Sequence, residues 1–190
     1  MQEYDYTGKL SEGFRRVKRG TFKQSYCGFI DNLGNEVIPL IYANVRDFRE
    51  GMAAVRTGNW ASGKWGFINT SGELVVPVLF EHPRPFRHGF SKVILNGDWC
   101  FINKQGNKVI SLKEYDGGSN FCNGYAIVRK SIGPKYEDRR YGVIDQTGAE
   151  VIPCIDIYGF DYMTLATTVH RFSGKSQQED LYNKTSGKKL

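Results

Sequence analysis

Hydrophobic and polar residues alternate along short segments of this chain, in the pattern typical of β-strands. In the segment 64–69, Trp65 and Phe67 fall on one face by period two, and Ile68 falls on the other. The β-branched residues Val75 and Val76, followed by Pro77, predict a further strand that ends at proline. No window carries a sustained i, i+3, i+4, i+7 stripe of apolar residues. The pattern therefore predicts an all-β fold.

The alternating segments recur along nearly the whole chain. A hairpin motif occurs at residues 28–39, 66–77, 100–110 and 142–153, and a strand that follows a turn glycine recurs at 12–18, 50–56, 88–93 and 123–129. The central turn glycines fall at positions 34, 72, 106, 148 and 187. These spacings give a repeat of about 38 residues, with about three strands in each unit.

An aspartate or asparagine stands three residues before each of the first four turn glycines. These residues are Asp31, Asn69, Asn103 and Asp145. Such a side chain satisfies turn amides, while glycine supplies the positive φ that a short loop needs. Because two of the four copies carry asparagine, the pattern favours turn structure over a ring of catalytic carboxylates.

The segment Lys64-Trp65-Gly66-Phe67-Ile68-Asn69, followed by Ser71-Gly72-Glu73 and Val76-Pro77, resembles the WG (KWG) β-repeat family. The resemblance covers about four full copies and two half copies, although Cys27 and Tyr141 replace the tryptophan in two copies and Cys100 replaces the glycine in another. It implies a non-catalytic β-repeat scaffold of a mostly bacterial family. It transfers no catalytic residue.

The two ends of the chain each carry half a repeat. Residues 4–13 align with residues 42–51, and residues 181–190 match the first half of a unit. We therefore predict one domain over 1–190, a five-unit propeller-like ring closed by joining the N- and C-terminal half repeats. Its units lie at about 26–63, 64–97, 98–139 and 140–178, with a split unit of 179–190 plus 1–25. The alternatives are an open β-repeat superhelix and a piece cut from a longer array.

Composition narrows the class of protein. The chain has 26 Lys and Arg against 20 Asp and Glu, a net charge of +6, which favours an acidic partner. The N-terminal residues are polar, no apolar run approaches a membrane span, and the four cysteines form no C-x-x-C pair. We expect a cytoplasmic protein without a signal peptide, cofactor, metal or membrane association.

The chain carries little catalytic signal. It has no G-x-S-x-G, P-loop or G-x-G-x-x-G motif, and His82, His88 and His170 lack a metal-binding spacing. Cys122 and Cys154 have no histidine signature nearby, so we interpret them as packing residues. We predict that the protein is not an enzyme. A catalytic site in a central channel remains an alternative.

Repeat-equivalent arginines are the strongest candidate binding residues. Arg46 and Arg49 align with Arg84 and Arg87 at a shift of 38, so the four should form a positive patch on neighbouring units. Arginine suits carboxylate or phosphate recognition and is enriched at interface hot spots, although such residues are also common in solvated loops. Trp60 lies in a Gly/Ser/Asn loop and Tyr136 in a long insert. Each could anchor a partner or fold back on its own unit.

These features predict a non-catalytic interaction module that binds an acidic protein partner. An adaptor or a toxin-neutralising immunity protein is one possibility by analogy. The alternative is a nucleic-acid-binding module that uses the arginine patch, which the interspersed acidic residues make less favourable. The recurrent strand aromatics are expected in the core rather than in a site: Phe29, Trp65, Phe67, Trp99 and Phe101.

Overall fold

The computed structural model describes residues 4–21, 25–59 and 62–156, and the backbone of three later strands. The chain forms antiparallel β-sheets and divides into two compact units, residues 1–108 and 109–190. In the part of the chain that is described, the one helical element is a 3₁₀ turn at Tyr136–Asp138. The all-β prediction is therefore confirmed.

The first unit contains sheets whose strands follow one another in chain order. Sheet 1 comprises β1 (Tyr6–Thr7), β2 (Arg15–Gly20), β3 (Ser25–Ile30) and β4 (Glu36–Tyr42). Sheet 2 comprises β5 (Asn44–Val45), β6 (Met52–Thr57), β7 (Lys64–Asn69) and β8 (Leu74–Phe80). Sheet 3 comprises β9 (Ser91–Leu95), β10 (Asp98–Ile102) and β11 (Lys108–Ser111), and the unit boundary falls at the start of β11.

The second unit repeats the same sequential order. Sheet 4 comprises β12 (Gly117–Gly118), β13 (Tyr125–Ser131), β14 (Arg139–Asp145) and β15 (Glu150–Asp156). Sheet 5 comprises β16 (Phe160–Asp161), β17 (Thr168–Phe172) and β18 (Glu179–Asn183).

The boundaries of the sheets lie about half a repeat away from the boundaries of the units counted from the sequence. The pairs Arg15↔Ile30 to Gly20↔Ser25 join β2 to β3, so the N-terminal strands complete sheet 1 together with the first hairpin. This grouping follows from chain connectivity, because sequential strands pair with their nearest neighbours. No sheet among the described strands is closed or combines strands from both ends. The closed ring therefore stays a prediction.

A β-bulge explains the glycine of the repeated motif. The register between β7 and β8 shifts between the pairs Trp65↔Phe80 and Phe67↔Val76. A Cβ atom on Gly66 would lie 2.4 Å from the Val76 carbonyl oxygen, and the equivalent atom on Gly28 would lie 2.4 Å from that of Ile38. Only glycine permits this close approach of two backbones.

The period-two pattern of sheet 2 is explained by burial on both of its faces. Val55 of β6 belongs to a buried cluster with Phe29 of sheet 1. Its chain neighbour Ala54 belongs to another cluster with Val93 of sheet 3. Successive side chains on a strand point to opposite faces, so one strand contributes to two cores. Sheets 1, 2 and 3 are thus stacked face to face.

The turns of the hairpins have the predicted structure. The Asn69 side-chain oxygen accepts the backbone N–H groups of Ser71 and Glu73, each at 3.0 Å, and Gly72 has φ of +82°. The equivalent oxygen of Asp31 accepts those of Leu33 and Asn35 at 2.9 and 2.8 Å. The turn role of the repeated Asp and Asn residues is confirmed.

Candidate functional site

Backbone pairing places the two arginine pairs at equivalent points of sheet 2 and of the segment that leads into sheet 3. The Arg46 N–H donates to the Ala54 carbonyl at 2.8 Å, and the Arg84 N–H donates to the Lys92 carbonyl at 2.9 Å. Arg49 and Arg87 each open a tight turn, through bonds to the carbonyls of Met52 and Phe90 at 2.9 Å. Arg49, Arg84 and Arg87 are exposed, whereas Arg46 is half-buried.

Arg46 lies in an open groove of about 450 Å³, which we call the basic groove. It is lined by Asn44, Arg46, Arg56, Ser62, Gly63, Lys64, Trp65, Glu81 and His82. An adjoining cavity of about 350 Å³ shares Arg46 and His82 with it and adds Arg84 and Trp99 to the wall. The structure therefore brings Arg46 and Arg84 together, whereas Arg49 and Arg87 line neither space.

The floor of the basic groove is an arginine–tryptophan stack. The guanidinium carbon of Arg46 lies 5.2 Å from the centroid of the Trp65 ring, and that of Arg56 lies 5.9 Å from it. These distances fit cation–π contacts. The cross-strand pairs Asn44↔Arg56 and Arg56↔Trp65 align these residues on one face of sheet 2. The sheet register thus builds the floor of the groove.

Arg46 has no ion-pair partner among the residues that the structure describes. Its Nε atom is buried and has no hydrogen-bond partner among the described residues. Burial, together with the positive charges of Arg84 and Arg16, lowers the pKa of Arg46 from its ordinary value. Loss of solvent and like-charge repulsion both disfavour the charged form. An anion that enters the groove would relieve both effects.

The carboxylate in the groove already has a cation as its partner. Glu81 forms an ion pair with Lys64, and the hydrogen bond and charge of Lys64 lower the pKa of Glu81. Asn44 uses its side-chain oxygen to accept the Val45 N–H at 2.8 Å. The Arg46 end of the groove therefore keeps its positive charge.

A repeat-equivalent groove between sheets 1 and 2 shows the opposite condition. This small groove, of about 190 Å³, is lined by Tyr6, Arg16, Val17, Lys18, Cys27, Asn44 and Val45. Cys27 occupies the position of Trp65, which removes the aromatic floor. The Arg16 Nε lies 3.0 Å from an Asp47 carboxylate oxygen, so this arginine has an ion-pair partner within the protein.

The remaining candidate residues lie elsewhere. Trp60 falls outside the described residues. Tyr136 is 70% exposed in the 3₁₀ turn of the second unit, and the Arg139 guanidinium lies 4.4 Å from its ring centroid. Tyr136 thus remains an exposed aromatic with an intramolecular cation as its neighbour.

The core prediction for the strand aromatics is correct for three phenylalanines and incomplete for the tryptophans. Phe29, Phe67 and Phe101 are buried. Trp65 is also buried but lines the basic groove, and Trp99 is only partly buried beside the Lys92 ammonium, 4.6 Å from its ring centroid. Trp65 thus contributes both to the core between sheets 2 and 3 and to the wall of the groove.

Sequence reasoning missed Arg56, His82 and Trp65 as groove residues. The repeat alignment relates two of the groove residues, because His82 stands 38 positions after Asn44. Arg56 follows from hairpin register, since it stands directly opposite Trp65. Assigning either residue to the groove requires knowing which face of sheet 2 borders it.

Among the described residues, no side chains are grouped as metal ligands, and three cysteines have thiols with raised pKa values. The described residues contain no group of three His, Cys, Asp or Glu side chains placed to hold a metal ion. Burial raises the pKa of Cys27 and Cys100, and burial with the nearby Glu150 charge raises the pKa of Cys154 to about 11. A raised pKa keeps a thiol protonated and poorly nucleophilic. In the same described part of the chain, no helix has the length and apolar character of a membrane span.

Comparison with known proteins connects this architecture to a family. A family model described as a WG containing repeat matches residues 28–59, 65–99 and 99–131, which together cover just over half of the chain. Comparison with curated proteins and with solved structures gives no match. The matched stretches start at Gly28, Trp65 and Trp99, the positions of the repeated motif, and they confirm the resemblance seen in the sequence. The chain therefore belongs to the WG containing repeat family.

Proposed function

We propose that this protein is a non-catalytic interaction module that binds an acidic protein partner through the arginine surface of sheets 2 and 3. The surface consists of Arg46, Arg49, Arg84 and Arg87. The observation that carries the proposal is the shared site of Arg46 and Arg84, in which Arg46 has no acidic partner among the described residues.

The chemistry of this surface favours a carboxylate-bearing partner. Guanidinium groups bind carboxylates in a planar, bidentate manner, and repeat arrays present equivalent side chains as one surface. Three of the four arginines are exposed, so a partner can reach them without rearrangement. An adaptor or toxin-neutralising role in a bacterial cytoplasm is the biological setting that we propose for such a module.

We also propose that the five sheets close into a ring. Four-stranded sheets with strands in sequential order are typical of propeller blades. Sheets 1, 2 and 3 are stacked through equivalent clusters, which is the packing that a ring repeats. A ring would hold the arginine surface in a fixed curvature and so select partners of complementary shape.

Capture of partners by the immobilised protein tests the proposed function. We expect an acidic protein to be retained by the wild type and lost from the variant in which Arg46, Arg49, Arg84 and Arg87 are all alanine. The control variant replaces four exposed lysines, Lys9, Lys108, Lys113 and Lys135, and removes the same charge. It should retain the partner.

Two outcomes would contradict the proposal. Equal loss from both variants would show that only net charge matters. Retention of nucleic acid, with an affinity that falls steeply between about 50 and 200 mM salt and a complex sensitive to nuclease, would favour the nucleic-acid alternative.

A further inference from the structure

We infer that the basic groove is a carboxylate-binding subsite, in which Arg46 anchors an aspartate or glutamate side chain of an acidic peptide segment. This inference rests on the proposed function and specifies its chemistry. Arg46 is the anchor and Trp65 is the residue that positions it.

The first support is that Arg46 is held in place before any ligand arrives. Its guanidinium lies over Trp65 at 5.2 Å, and its backbone is fixed by the bond to Ala54. A stacked guanidinium keeps the donors on its edge available, because the cation–π contact uses the face of the group. An arginine side chain has several rotatable bonds, and it loses freedom of rotation about them on binding. A side chain that is already ordered therefore binds at lower entropic cost.

The second support is that no carboxylate of the described residues serves Arg46. Glu81, which shares the groove, is paired with Lys64, and Asp47 is paired with Arg16 on the side of the small groove. The arginine of the small groove thus has a carboxylate of its own, whereas Arg46 has none among the described residues.

The third support is the shape of the site. A groove of about 450 Å³ accommodates an acidic side chain with part of its peptide backbone. The adjoining cavity continues past Arg46 to Arg84, so a second carboxylate can follow the first along the same path. This continuity favours a peptide with several acidic residues over an isolated small anion.

A peptide titration tests the inference. The probe is a hexaglutamate peptide, acetylated and amidated at its ends, and hexaglutamine is its uncharged counterpart. The variants are Arg46→Lys and the matched control Arg19→Lys, which makes the same change at an exposed arginine that stacks on Tyr4 and lies outside the arginine surface. Both variants preserve the positive charge. At Arg46 the substitution therefore removes only the planar set of guanidinium N–H donors and the stacking on Trp65.

We expect Arg46→Lys to weaken hexaglutamate binding by about tenfold or more, the size of effect that loss of charge-assisted hydrogen bonds produces. Arg19→Lys should change it by less than about twofold. In the wild type, the Arg46 Nε–Hε resonance should shift on addition of hexaglutamate and not of hexaglutamine. This second readout does not depend on a variant that folds normally.

The outcomes separate the inference from the proposed function. Equal effects of the two lysine variants, or an unmoved Arg46 resonance, would overturn the carboxylate subsite while the four-arginine variant still loses its captured partner. Failure of that variant to lose the partner would overturn the proposed function itself. Equal binding of hexaglutamate and hexaglutamine would also overturn the subsite.

Discussion

The carboxylate of Glu12 accepts the backbone N–H of Glu50, 38 residues later, at 2.7 Å, and that of Gly51 at 2.9 Å. Glu50 in turn accepts the N–H groups of His88 and Gly89 at 2.6 and 2.9 Å. Each glutamate has a positive φ, 51° for Glu12 and 53° for Glu50, in the turn that precedes the second strand of its sheet. A carboxylate clasp therefore joins each of these turns to the equivalent turn of the next sheet.

Removing the charge of a carboxylate clasp should destabilise the packing of the sheets on one another. Glu50→Gln leaves one acceptor oxygen for two N–H donors and removes the ion pair with Lys104, whose Nζ lies 3.7 Å from the carboxylate. We expect a loss of about 1 kcal/mol in the free energy of unfolding, because the site is partly exposed. Urea unfolding measures it. Glu36→Gln is the control, and an equal loss there would contradict the clasp.

Adding a methyl group at the bulge glycine should be far more damaging. In Gly66→Ala the new Cβ would lie 2.4 Å from the Val76 carbonyl oxygen, which belongs to the backbone and cannot rotate away. We expect a loss of about 2–3 kcal/mol or more in unfolding free energy. Cys100→Ala, at the equivalent position that already accommodates a side chain, should cost less. Similar losses for the two variants would argue against the bulge.

The two aspartate turns should make stability depend on acid pH. The Asn35 side-chain amide and backbone N–H groups lower the pKa of Asp31; at Asp145 burial acts in the opposite direction but hydrogen bonds from Thr147 and Ala149 outweigh it. A depressed folded-state pKa contributes stability above the unfolded value of about 4, and this is lost as pH falls through the folded value.

Replacing both aspartates by asparagine tests that dependence. Asparagine occupies the same turn position at Asn69 and Asn103, so the turn geometry should survive. The melting temperature of the Asp31→Asn, Asp145→Asn variant should fall below that of the wild type at pH 7 and converge with it towards pH 2. A constant difference across this range would show that the carboxylates make no ionic contribution.

Trp65 should link stability to binding. It is 9% exposed and packs in the cluster between sheets 2 and 3, so Trp65→Ala should cost about 3–5 kcal/mol. Trp65→Phe should retain most of the stability while giving Arg46 a smaller ring to stack on, and we expect weaker hexaglutamate binding. Denaturant unfolding and the peptide titration together check this. Unchanged binding in Trp65→Phe would contradict the positioning role.

A circular permutant tests the proposed ring. In a closed ring the native ends would be neighbours, so a short Gly/Ser linker could join them while new ends open in the exposed insert between Gly133 and Pro134. We expect the permutant to stay monomeric and to melt within a few degrees of the native chain. An open superhelix would not tolerate the linker, and the permutant would unfold or aggregate.

The local structure of this protein was determined by its sequence, because strands and turns depend on neighbours in the chain. Period-two alternation identified the hairpin strands, although β8 continues to Phe80 and does not end at Pro77 as the sequence predicted. The spacing of Asp31 and Gly34 identified a turn whose amides and φ the structure reproduces. The 38-residue repeat likewise placed Arg46 and Arg84 at equivalent positions. Each of these features is defined within one repeat or by its copy in the next.

Only the tertiary structure decided how equivalent grooves differ in environment. Arg16 and Arg46 line equivalent inter-sheet grooves from different positions of the repeat, and Asp47 pairs with the first while Trp65 supports the second. Charge compensation depends on distances between side chains from different sheets, and these follow from register, bulges and stacking rather than from position in the repeat. The same is true of Trp65, whose alternation marked it as core, whereas its surroundings in the structure also make it part of the floor of the basic groove.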